Sequence, residues 1–252
     1  MNSSLNGDNS ANCEGDSTAA LCEEFFALLD SLKLSASQNE IGTRALKVAT
    51  ITHKGQTRRG DTPYIDHPLR VALSAVKLFG VRDLNLIIAA LLHDTVEDRA
   101  AQLIQALGET TSGDEKTEAF NLLSIHFGDR VSEVVKRLTN PDFDALVAAL
   151  QSKGDLREPR SIKQSLYQQH FLEILAEDPE AFLIKLADFG ENALKLGQLT
   201  PTERAPLARK YGPVILATIS ALEKLPAEHP LLPLREAIRD DLLSVYQRDY
   251  TS

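Results

Sequence analysis

The sequence has no tryptophan, one methionine and two cysteines in 252 residues. Cys13 and Cys22 both stand near the N-terminus, and two cysteines so placed make no disulfide framework of the kind that staples small secreted domains. Reduced thiols in a cytoplasmic setting are the simpler expectation. Long apolar runs are missing too: none approaches the roughly 20 residues that span a bilayer. Basic residues are outnumbered, 27 Lys and Arg against 36 Asp and Glu, for a formal net charge of −9. That balance argues against general binding to nucleic acid or to an anionic membrane. It leaves room for a small anionic ligand in a locally basic pocket. The opening "MNSSLNGDNSANCEGDS" lacks the basic start and apolar centre of a signal peptide and reads, over residues 1–18, as a flexible tail. A soluble cytoplasmic protein, monomer or homodimer, is expected.

Alternating strand patterns and internal repeats are also absent. What is there is helical periodicity, in a chain whose 43% hydrophobic content can bury a sizeable core. Leu21, Phe25, Leu28, Leu29 and Leu32 lie at helical spacing in "TAALCEEFFALLDSLKL". Further helices are expected over 40–53, from Asp66 as N-cap to Gly80, over 83–98, and near 117–138, 161–176, 179–196, 202–224 and 231–247. In the helix near 202–224, Ile215, Leu216, Ile219 and Leu222 form the expected buried side. "KGQTRRGDTPYI" is a loop marked by Gly55, Gly60 and Pro63, and "PDFDALVAALQSKGDLREPRS" is a long, less regular connection. The expectation is one all-α domain over residues 19–252.

One stretch carries chemistry. "AALLHDTVED" runs from an apolar helix into His93, Asp94, Glu97 and Asp98, and no Lys or Arg lies between Asp83 and Asp98. Surface acids at a helix end are the ordinary explanation. Here the approach through Ile87, Ile88, Leu91 and Leu92 points inward, where uncompensated carboxylates cost several kcal/mol each, in round terms. A divalent cation compensates them. His67 in "PYIDHPLRVA" and Asp188 in "FLIKLADFGENAL" are the other candidate ligands, although Lys185 at i−3 is an alternative partner for Asp188. Two imidazoles and two carboxylates suit manganese, iron or zinc.

"HKGQTRRGDTPYIDHPLRVA", "AALLHDTVED", "HFGDRVSEVVKRLT" and "KLADFGENALKL" occur in this order. The set resembles the HD-type hydrolase domain of the RelA/SpoT family, most closely the stand-alone small alarmone hydrolases, over residues 40 to 200. The resemblance implies an all-helical HD bundle with His67, His93, Asp94 and Asp188 as metal ligands, normally for Mn2+. It implies Glu97 and Asp98 as the pair that activates the attacking water. Arg58 and Tyr64 match the nucleotide pocket, and Asn192 matches the asparagine one turn after the last ligand. His53, Lys54, Arg59 and Lys185 complete the expected pocket. The implied reaction removes pyrophosphate from the ribose 3′ position of a guanosine or adenosine alarmone, (p)ppGpp or (p)ppApp. Another HD nucleotide phosphohydrolase, or a non-catalytic nucleotide- or partner-binding protein, is the alternative. Phe189, Leu194 and Lys195 stand where the family carries residues of other chemistry, so relaxed discrimination between the two bases is expected. His126, His170 and His229 are expected to be structural or exposed.

Overall fold

The computed structural model describes residues 16–110, 113–193, 196 and 199–250, with the backbone alone described for residues 16, 59 and 201. Among them are twelve α-helices and no strand, so the all-α expectation holds. The chain divides into two compact units, residues 1–139 and 140–252.

The first unit contains α1 (Asp16–Ser31), α2 (Ala36–Thr52), α3 (Asp66–Phe79), α4 (Leu84–Leu92), α5 (Thr95–Ala106), α6 (Glu115–Phe127) and α7 (Asp129–Leu138). Ser35 starts α2 in a reciprocal box with Gln38. A Cβ at Gly42 of α2 would stand 3.1 Å from a Leu29 methyl carbon of α1, so glycine permits that close approach. α4 is the centre of the unit. Asp83 caps it by accepting from the Asn85 N–H at 2.7 Å, and every residue from Leu86 to Leu92 is buried as it packs against α2, α3 and α7. A helix apolar on all sides is one surrounded by protein. Ile87, Leu91 and Leu92 are wholly buried, each worth about 1.5–3 kcal/mol.

Three expectations change here. The helix anticipated over 83–98 is two, α4 and α5, joined at His93 and Asp94. Side chains cause the break: Thr95 Oγ1 donates to the Leu92 carbonyl at 2.6 Å, and His93 Nδ1 lies 2.8 Å from the Ala90 carbonyl. The helix anticipated over 117–138 divides into α6 and α7 at Gly128, whose φ of 95° ends the first and opens the second. Asp66 is no N-cap. It is buried inside α3, where it accepts from Thr18 Oγ1 at 2.6 Å, Ser17 Oγ at 3.1 Å and Arg70 at 3.2 Å.

Ser17 and Thr18, expected in the tail, therefore belong to α1, because their hydroxyls satisfy a buried carboxylate. Thr18→Val keeps the shape and removes one of those bonds. A hydrogen bond to a charged group contributes about 1.5–3 kcal/mol, so urea denaturation of this variant should show a loss of that size with an unchanged m-value. Cys22, also in α1, is buried and disulfide-bonded, contrary to the reduced thiol that cysteine number alone led one to expect. Cys13 lies outside the described residues.

The second unit contains α8 (Phe143–Ser152), α9 (Pro159–Glu177), α10 (Pro179–Ala193), α11 (Pro201–Glu223) and α12 (Arg235–Asp249). α8 falls within the connection expected to be irregular; Asp142 starts it by accepting from the Ala145 N–H at 2.9 Å. Asp178 likewise accepts from Ala181 at the start of α10. Phe189 is buried, 5.1 Å from the Phe171 ring and 5.3 Å from the Tyr211 ring. On α11, Ile215 and Leu222 are buried as expected, whereas Leu216 is exposed and Val214 and Thr218 are buried instead. The buried stripe is rotated by one residue from the anticipated one. The Tyr250 hydroxyl, beyond α12, donates to the Ala193 carbonyl at the end of α10 at 2.6 Å.

Candidate active site

The loop between α2 and α3 folds back on itself. Arg58 N–H donates to the Thr62 carbonyl at 2.8 Å, and Tyr64 N–H to the Gln56 carbonyl at 3.0 Å. Gly60 turns the chain at a φ of 76°. This places Tyr64 among three groups. The buried His53 ring stacks on it with centroids 4.7 Å apart and planes 21° from parallel. The Arg58 guanidinium lies 5.6 Å from its centroid, within cation–π range. Its hydroxyl donates to Asp94 Oδ2 at 2.7 Å.

Asp94 Oδ2 is a point of convergence. His93 Nε2 lies 3.1 Å from it and His67 Nε2 3.4 Å. Both imidazoles are buried, and their rings meet edge to face at 5.2 Å. The fold explains the meeting: His67 opens α3, His93 closes α4, and those two helices pack together. Burial alone would raise the Asp94 carboxyl. The neighbouring His93 and His67 outweigh it, and the carboxyl sits well below the usual carboxylate range. Burial raises the Tyr64 phenol, and the Asp94 charge raises it further. Burial also lowers His53.

These residues fit a metal ion on their own chemistry. His93 Nδ1 faces the Ala90 carbonyl, so it holds the ring proton in a neutral imidazole and leaves a lone pair at Nε2. That lone pair faces a carboxylate oxygen 3.1 Å away, an arrangement that needs a cation between or a proton on the ring. For bonds of ~2.1 Å, two ligand atoms on one ion stand roughly 3.0–3.4 Å apart. Both separations at Asp94 fall in that range.

Glu97 and Asp98 lie in the first turn of α5, Glu97 half-buried and Asp98 exposed. Asp98 Oδ2 accepts from Gln56 Nε2 at 3.2 Å. Lys54 is exposed, and the Arg59 side chain lies outside the described residues. In the second unit, Asn192 Nδ2 donates to Asp188 Oδ1 at 2.8 Å, and Lys185 Nζ lies 3.5 Å from Asp188 Oδ2. Lys185 is buried, so the basic partner that the sequence offered for Asp188 is in place. Leu194 and Lys195 fall outside the described residues.

The remaining histidines are half-buried and make local contacts. His126 meets Arg44, with burial first and Arg44 second lowering it. His170 packs against Phe143, and His229 accepts the Leu231 N–H. Sequence reasoning missed Gln56 and Arg99, and read Asp66 only as an N-cap. Gln56 lies inside the motif-bearing loop, but its neutral side chain gives no signal by charge or period.

The sequence profile of the HD domain family matches residues 45–214. The guanosine-3′,5′-bis(diphosphate) 3′-pyrophosphohydrolase of Mus musculus is 31% identical over 160 residues, covering 63% of this chain and 70% of that protein. The enzyme of the same description from Vibrio cholerae is 32% identical over 191 residues, 73% of this chain and 23% of its own. A probable GTP pyrophosphokinase of Mycobacterium leprae is 34% identical over 172 residues, 68% of this chain and 18% of its own. The chain thus spans about a fifth of the length of these two bacterial relatives. A solved structure of a metazoan ortholog of SpoT that hydrolyses ppGpp superposes with a TM-score of 0.51 at 20% identity, over 86% of this chain and 98% of that one. It shares the fold. No helix among the described residues is long and apolar enough to cross a membrane.

Proposed function

Since the chain belongs to the HD-domain family, among the small hydrolases of RelA/SpoT type, we propose that it removes the 3′-pyrophosphate from alarmone nucleotides, (p)ppGpp or (p)ppApp. The relatives named for this activity support the reading. The observation that carries it is the convergence of the two buried imidazoles of His67 and His93 on Asp94. Asp188 joins them by its place in the family motif. A divalent cation held by these four residues, Mn2+ in this reading, supplies positive charge that screens the phosphates and polarises the reacting groups. We take the catalytic unit as one domain that begins with α1 rather than at residue 19, a reading that the family match across residues 45–214 supports. Its setting is the cytoplasm, as monomer or homodimer, with a small nucleotide and no nucleic acid or membrane as partner.

The chain's own residues then divide the work. Water attacks the phosphorus attached to the 3′-oxygen; the new O–P bond forms as the 3′ O–P bond breaks. One carboxylate of the Glu97 and Asp98 pair takes the proton of the water, and that proton passes on to the ribose 3′-oxygen, which leaves as a hydroxyl. The nucleoside 5′-phosphate and pyrophosphate are the products. Arg58, held against Tyr64, presents a planar guanidinium suited both to phosphate oxygens and to the face of a base. His53, Lys54, Arg59, Lys185 and Asn192 complete the pocket.

Hydrolysis assays with and without added Mn2+, run on guanosine and adenosine alarmones with products identified, test this. Pyrophosphate and the nucleoside 5′-phosphate are expected from both series. Release of single phosphates, or no turnover of either series, overturns the reading. Phe189 is committed to an aromatic core and offers no polar edge to a base, so comparable kcat/KM for the two series is expected. A preference beyond ~100-fold would require a polar base contact. Arg58→Ala removes a contact made in ground and transition states alike. It should raise KM for each substrate and leave kcat within about twofold.

A further inference from the structure

The Gln56 side chain is bonded in three directions. Its Oε1 accepts from Arg99 Nε at 3.1 Å and lies 2.9 Å from His53 Nδ1. Its Nε2 donates to Asp98 Oδ2 at 3.2 Å. A guanidinium only donates and a carboxylate only accepts, so one orientation of the amide satisfies both neighbours. With Oε1 thereby fixed toward the ring, His53 Nδ1 is the donor. The ring so held is the one stacked on Tyr64, whose hydroxyl reaches Asp94.

Arg99 reaches the amide from a distorted turn. It lies inside α5, yet its φ of −144° and ψ of 38° are not helical. The departure from helical geometry falls one residue after Asp98. An exposed carboxylate on a regular first turn has several open rotamers. Here the Gln56 amide, itself held by Arg99, donates to that carboxylate.

We propose that Gln56 is a positioning residue that aims the Asp98 carboxylate and ties it through His53 and Tyr64 to the Asp94 centre. The inference rests on the reading of Asp98 as an acceptor of the water's proton. Gln56 acts through Asp98.

The test is a double-mutant cycle of Gln56→Leu and Asp98→Asn, with metal content and thermal unfolding measured on every variant. Gln56→Leu should lower kcat on the order of 10-fold, the scale of a misaimed reacting group, with KM and metal content unchanged. Introduced into Asp98→Asn, it should cause no further loss, because two residues acting as one unit are non-additive. Losses that multiply in the double variant would assign Gln56 a merely structural part and overturn the proposal. So would a Gln56→Leu variant with the parent kcat. Gln56→Glu guards against a folding artefact: it keeps the acceptor for Arg99 and His53 but sets a carboxylate against Asp98. Its kcat should fall at least as far, and an unchanged kcat overturns the proposal. If Asp98→Asn by itself turns over normally, the assignment of Asp98 fails first and takes this inference with it. Failure at Gln56 alone leaves that assignment standing.

Discussion

His93→Ala is expected to yield protein without bound metal and with hydrolysis reduced by more than ~100-fold, since even outer partners of metal ligands cost 10–100-fold. The imidazole is buried, anchored through Nδ1 on the Ala90 carbonyl, and directed by Nε2 at Asp94. Removing it takes away one ligand and the first of the two imidazoles that hold the Asp94 carboxyl low. Asp94 then keeps its burial and loses its main compensation. Asp188→Ala should also lose metal, by the family assignment. A ligand at 1,000 times its dissociation constant stabilises the native state by about 4 kcal/mol. Chelator should therefore lower the melting temperature of the parent protein and leave that of His93→Ala almost unmoved. Elemental analysis decides the matter: metal content unchanged in both variants sinks the ligand set.

The sequence made the approach to this site legible because burial writes itself into composition. The run from Leu86 to Leu92 is apolar on all sides, and α4 is surrounded on all sides. A helix of that kind that delivers His-Asp at its end is readable without coordinates. The break after Leu92 is not, because His93 and Asp94 keep near-helical dihedrals. Side-chain hydrogen bonds from Thr95 and His93 to the preceding turn end the helix, and a 3.6-residue period does not register them. Gly128 has the opposite difficulty. Glycine is tolerated inside helices, and only its φ of 95° marks a boundary.

Asp66 shows how a local rule misleads. An acid before a proline-containing first turn reads as a cap. Its partners Ser17 and Thr18 lie nearly fifty residues away in sequence, in a stretch whose composition reads as a tail. The residues proposed as metal ligands were easier to flag than their surroundings. His67, His93 and Asp94 are brought together by the packing of α3 on α4, and they carry a chemistry that sequence can flag. Gln56 and Arg99 act through geometry alone: an amide orientation and one non-helical residue.

Glu97→Gln is expected to retain metal and lose at least ~10²-fold in kcat, the lower end of what a general acid or base contributes. The break between α4 and α5 supplies a competing explanation for this residue. It puts Glu97 in the first turn of a new helix, where an acid complements the exposed N–H groups and the macrodipole. That effect is worth about 0.3–1 kcal/mol of stability and predicts no kinetic change. The two explanations differ in kind as well as size. Glutamine keeps the length and hydrogen-bonding capacity of the side chain and removes its ability to take a proton. A melting temperature only slightly lowered, beside a collapsed kcat and intact metal, assigns Glu97 to the chemistry. Asp98→Asn, measured beside it, apportions the proton between the two carboxylates: the larger loss marks the acceptor, and the smaller marks the group that holds the water in line. Full turnover of Glu97→Gln with metal bound would make Glu97 a helix-start acid and leave the proton to Asp98.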